Sequence, residues 1–173
     1  MDKKKVFILL GIFWLVVISG FIGYKEYTLR TGQEVLLKTT PVDPRDLFRG
    51  DYVMLRYDIS DLNSQDLVFG RNDFKLGDRV YVVLDIKEKY AVATGVYSQL
   101  PSDGLFIKGT LKDVGGSRFN IEYGIESYFV PEGKGRDIER QLGRNVDVRV
   151  AVDKSGNSVI KALLIDGQEV RFK

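Results

Sequence analysis

The 173-residue chain has neither cysteine nor histidine. Without cysteine it offers no disulfide and no thiolate, so its folding rests on an apolar core alone. Without histidine, serine catalysis of the Ser–His–Asp type and imidazole metal sites are excluded. Glycine-rich phosphate loops and Ca²⁺ loops are missing too, so neither a cofactor nor a metal is expected. Charge of one sign is also lacking. There are 26 Lys and Arg against 24 Asp and Glu, and the first five residues hold three Lys and one Asp. Everything beyond residue 5 is therefore neutral, which gives no electrostatic footprint for nucleic acid.

Charge is missing altogether from Val6 to Tyr24. Nineteen residues at about 1.5 Å each make a helix of roughly 28 Å, close to the hydrocarbon thickness of a bilayer. Lys3, Lys4 and Lys5 precede the run, and basic residues on a short flank keep that end in the cytoplasm. The expected organisation is a cytoplasmic tip over 1–5, a transmembrane signal anchor over 6–24, and an exported domain over 25–173 in the inner, or cytoplasmic, membrane. Two alternatives stand beside it. One is a cleaved signal peptide, with a weak small-residue site near Ser19, Gly20 and Gly23, although the apolar run is long for that role. The other is a buried soluble helix, which rarely stays apolar on every face for so long.

After residue 25, period-2 or β-branched runs fall at 34–39, 51–59, 79–86, 90–97, 105–112, 118–124, 145–152, 158–165 and 168–172. Turn residues separate them, as in Pro101-Ser102-Asp103-Gly104 and Ser155-Gly156-Asn157. The fold class expected is mainly β, an antiparallel barrel or sandwich behind one membrane helix. A single short helix is expected within 131–142, stopped by Gly143. Gly50 to Ile59 aligns without gaps on Gly77 to Ile86, and Gly143 to Val150 echoes both. The alternation places Val53, Leu55 and Tyr57 on one face, Val80, Val82 and Leu84 on another, and Val146, Val148, Val150 and Val152 on a third. The echo fits an old duplication, and it equally fits a common way of turning into a barrel strand.

The densest segment is Pro41 to Tyr57, Pro-Val-Asp-Pro-Arg-Asp-Leu-Phe-Arg-Gly-Asp-Tyr-Val-Met-Leu-Arg-Tyr, with six charges in seventeen residues. Asp43 suits a helix N-cap and Pro44 the first helical position. Gly50 permits the reversal into a strand, and the Asp51 carboxylate suits the backbone N–H groups of that turn. Arg45, Arg49 and Arg56 stand near Asp46, Asp51 and Asp58, either as a surface ion-pair network or as a binding face. Tyr52, Met54 and Arg56 point away from the face of Val53, Leu55 and Tyr57, so Tyr52 and Arg56 are the leading contact residues. The motif candidates are Arg45, Asp46, Arg49, Gly50, Asp51, Tyr52, Leu55, Arg56 and Tyr57.

Gly50-Asp51-Tyr52-x-x-Leu55-x-Tyr57 matches completely the signature of the GDYXXLXY family of bacterial membrane-anchored proteins, and the chain resembles that family on this ground. The approach Pro-x-Asp-Pro-Arg-x-Leu-Phe-Arg and the stretch Ile121 to Gly133 are similar to the same family. The resemblance implies one N-terminal membrane segment, an exported domain, and association with multi-pass membrane proteins. It implies no reaction.

Tyr123, Glu126 and Tyr128, with Phe119 and Phe129 close by, are secondary candidates: packed aromatics of a barrel interior, or a groove for peptide or glycan. No carboxylate spacing specifies a glycosidase. A membrane-anchored Ser/Lys hydrolase is the enzymatic alternative, because an anchor followed by an exported β domain is similar to the layout of bacterial signal peptidases. Lysine would then be the base for serine, but the Ser-Met pair typical of that nucleophile is missing. The expected role is non-catalytic: a tethered interaction module, accessory to a multi-pass membrane protein.

Overall fold

α1 spans Lys3–Thr31. This computed structural model describes residues 3–40, 52–63, 67–69, 74–115, 117–131 and 146–171. The helix begins before the apolar run and continues seven residues past Tyr24, the expected end. Glu26 and Arg30 pair one turn apart at 2.7 Å, and the Thr31 hydroxyl donates back to the Tyr27 carbonyl. Its 18-residue apolar stretch is entirely unburied, so these side chains form no part of the domain's core. The helix is long and apolar enough to cross a membrane.

The rest of the described residues are mainly β, arranged in three sheets. The first joins β1 (Gln33–Lys38), β10 (Val146–Val152), β11 (Ser158–Ile165) and β12 (Gln168–Glu169) in that order. The second pairs β2 (Tyr52–Met54) with β9 (Ser127–Phe129). The third has the order β3 (Asp61–Asn63), β8 (Arg118–Glu122), β7 (Leu105–Gly115), β5 (Arg79–Lys87), β6 (Tyr90–Tyr97) and β4 (Val68–Phe69). All described pairings are antiparallel except β4 on β6. The sheets share one apolar cluster to which each contributes, for example Leu37, Val53 and Val82. Burial of that cluster, with no disulfide, is what holds the sheets together.

The alternation read from sequence selects the core correctly. Val53, Leu55 and Tyr57 are buried, as are Val80, Val82 and Leu84, and Val146, Val148, Val150 and Val152. β10 departs from strict alternation because Asp147 and Ala151 are buried as well. Such a strand is covered on both faces.

The strand expected over 51–59 is corrected: β2 ends at Met54, Tyr57 makes a single bridge to Thr39, and Asp58–Ser60 is a 3-10 turn. The cause is a change of partner. Leu55 N–H donates to the Glu126 carbonyl at 2.7 Å, and the Ser60 N–H closes back on Tyr57 O at 2.9 Å. Three short strands, β3, β4 and β9, were not expected; two or three residues carry too little period to be read. Within the helix expected over 131–142, everything after Pro131 lies outside the described residues.

Candidate functional site

The motif strand has two sides with different work. On the inner side, the Tyr57 hydroxyl donates to the Ile125 carbonyl at 2.5 Å, across 68 residues. Tyr123 returns the contact, its hydroxyl donating to the Ile59 carbonyl at 2.5 Å. Each tyrosine thus crosses to the other's segment, and Leu55 N–H to Glu126 O lies between them. Both rings are buried. Burial raises the phenol pKa of each, the charge of Glu126 raising it further, so both remain neutral donors. Leu55 and Tyr57 are accordingly core residues whose polar atoms satisfy otherwise unpaired backbone.

The outer side opens onto a cleft of about 430 Å³, lined by Met54, Arg56, Ser60, Lys112, Glu122 and Glu126 among others. Its floor is apolar, from Leu55 and Ile121. One wall is Arg56, paired with Asp61 at 2.6 Å, while Asn120 donates to the other oxygen of the same carboxylate at 2.7 Å. The opposite wall is Lys112, paired with Glu122 at 2.5 Å across β7 and β8. Both pairs are half exposed, so each stabilises the fold little and its charges stay accessible to a partner.

Glu126 belongs to both sides. It lines the cleft and also accepts the Tyr123 N–H on Oε1. Burial pushes its carboxyl pKa up, against the backbone hydrogen bonds that lower it. The cleft offers mixed charge over an apolar floor, which suits contact with peptide-like or glycan-like surfaces. Among the described residues that line it, no serine is paired with a lysine. Ser60 is buried with its hydroxyl accepting the Tyr57 N–H at 3.3 Å, and the Lys112 ammonium is engaged by Glu122.

Of the residues singled out from sequence, Arg45, Asp46, Arg49, Gly50 and Asp51 lie outside the described residues, and of Tyr52 only the backbone is described, paired with Phe129. Arg56 is exposed and lines the cleft, and its carboxylate partner is Asp61; Asp58 lies 4.0 Å from Lys38. Asp58 opens the Asp58–Ser60 turn, and among the described residues no ion pair joins it to Arg56. The aromatic group divides. Tyr123 is buried in the exchange just described, Tyr128 packs half-buried opposite Val53, and Phe119 stacks edge-on with Phe74 at 5.7 Å. Phe129 is 77% exposed on the outer face of β9.

Asp61, Lys112, Asn120 and Glu122 were not anticipated. The only signal for them is alternation in β8, where Arg118, Asn120 and Glu122 flank the buried Phe119 and Ile121. That alternation marks an outward face without saying which strand meets it.

No curated protein and no solved structure matches the chain. The family model described as GDYXXLXY protein matches residues 14–163, which takes in more than half of α1, the motif strand, the cleft and most of β11. With that match covering most of its length, the chain belongs to the GDYXXLXY family.

Proposed function

We propose that this protein is a single-pass, membrane-tethered and non-catalytic interaction module. Its domain lies outside the cytosol and serves as an accessory to a multi-pass membrane protein. The observation that carries the reading is the division of the motif strand. Tyr57 and Leu55 are committed to the fold, whereas Met54 and Arg56 face an open cleft. Arginine and adjoining exposed apolar groups are favoured anchors of protein contacts, and Phe129 extends that apolar surface along β9. The lysines at residues 3–5 support an inside N-terminus, and α1 supports the tether.

The test is co-purification of the full chain from detergent-solubilised membranes. A multi-pass protein identified by mass spectrometry is expected with the native chain and lost with Met54→Ala/Arg56→Glu, whose melting temperature should stay within a few degrees. Equal recovery with the folded variant removes the cleft as the contact. A serine-reactive probe separates the enzymatic alternative, since labelling of one serine that disappears in Lys112→Ala would favour a hydrolase.

A further inference from the structure

α1 is joined to the domain by more than chain continuity. Asp153, at the turn between β10 and β11, accepts hydrogen bonds from the hydroxyls of Tyr24 (3.2 Å) and Thr28 (3.3 Å). It also accepts the backbone N–H groups of Ser155 (2.8 Å) and Asn157 (2.9 Å), and the Asn157 side-chain amide at 2.9 Å. Asn157 donates to the Tyr24 hydroxyl as well, and it accepts from Lys108. Thr28 is wholly buried at this contact. Gly32 then leads straight into β1. A Cβ there would lie 2.5 Å from the Thr28 carbonyl oxygen and 3.0 Å from the Val152 amide nitrogen, so the helix end and β10 are in direct contact.

The heights follow from helix geometry. Tyr24 closes the uncharged run and so marks the outer edge of the hydrocarbon, where tyrosine is favoured. Thr28 stands four residues, about 6 Å, above it. The headgroup layer of one leaflet is itself only about 5–8 Å deep. A turn bonded to both Tyr24 and Thr28 therefore lies within that layer. Lys154 and Ser155 are exposed at its tip, and Lys25 is at the same level on the helix. Among the described residues no ion pair engages Lys154 or Lys25.

We propose that the Asp153–Asn157 turn is a phospholipid-contacting surface, with Lys154 and Lys25 placed on headgroup phosphates and the domain clamped to the bilayer by the Asp153 hub. The inference rests on the reading of α1 as a membrane span. Its test uses two features of the chain, no cysteine and a single tryptophan, Trp14, in mid-helix. The full chain is reconstituted in mixed phosphatidylcholine and phosphatidylglycerol vesicles, carrying a fluorophore on Ser155→Cys or on Ser117→Cys. Ser117 lies at the β7–β8 turn, beyond the end of β7 at Gly115, which is seven residues or roughly 23 Å along the strand from Lys108.

Lipids with nitroxide headgroups are expected to quench the label at 155 severalfold more than that at 117. Asn157→Ala should reduce the difference, while brominated acyl chains quench Trp14 throughout. Equal quenching at 155 and 117 with Trp14 quenched overturns the headgroup contact and leaves the anchor standing. An unquenched Trp14 overturns the anchor, and this inference with it. The comparison of 155 with 117 decides the matter even if Asn157→Ala fails to fold.

Discussion

Tyr57 and Tyr123 show how two residues of a named motif and its neighbour can be structural in opposite directions. Each hydroxyl fills the needs of a carbonyl on the other's segment, so removing one leaves a buried acceptor without its donor. Tyr57→Phe and Tyr123→Phe are each expected to destabilise the fold by about 1–3 kcal/mol. For a domain of this size that corresponds to a melting temperature lower by roughly 2–4 °C per kcal/mol. Because both bonds join the same two segments, the double variant should lose less than the sum, and calorimetry of the three proteins measures the coupling. Strict additivity would mean that the tyrosines act separately. The burial of both rings was partly legible in the sequence, since Tyr57 shares its parity with Val53 and Leu55. Their acceptors were not, because partners 68 and 64 residues away leave no local trace.

Elements long enough to show a period were the legible ones. β5 follows the alternation of its side chains over Arg79–Leu84, β6, β10 and β11 lie where their β-branched runs were read, and the turn at 153–157 was marked by Ser155-Gly156-Asn157. There Gly156 adopts a φ of +79° and sits against the Phe106 ring, so that glycine is required by both backbone and packing. What the sequence hid were elements made by their partners: β3, β4 and β9, and the early end of β2. The cleft was half visible for the same reason, since Arg56 stands out in its motif while Asp61, Lys112, Asn120 and Glu122 acquire meaning only once β3, β7 and β8 are side by side.

The connection from β8 to β9 belongs to this scale. Glu126 holds it by accepting the Tyr123 N–H, and burial raises its carboxyl pKa. A raised folded-state pKa means that the folded protein binds the proton more tightly than the unfolded chain. The associated stability is complete below the ordinary glutamate range and is lost as pH rises through the higher folded value. Glu126→Gln is therefore expected to flatten the decline of stability over that window. Urea titrations at a series of pH values check this, and an unchanged slope would assign the pH dependence elsewhere.

At the scale of the whole molecule, a β domain with nearly balanced charge stands at the end of a helix long and apolar enough to cross a membrane. The proposed orientation predicts that a phosphatase reporter fused after Lys173, active only outside the cytosol, is active, and that a cytosol-dependent reporter at the same place is silent. The reverse pattern would invert the topology and put the cleft on the other side of the membrane.

One residue, Gly32, separates α1 from β1. Most tethered modules hang on a leash and explore a hemisphere of solution. This one has no leash. Held at both Tyr24 and Thr28, the domain turns with its helix, and under the proposed membrane tether its cleft would stay at a constant distance from the lipid. Under that proposal its search for a partner would be a two-dimensional one, restricted to proteins that present a complementary surface at that one height.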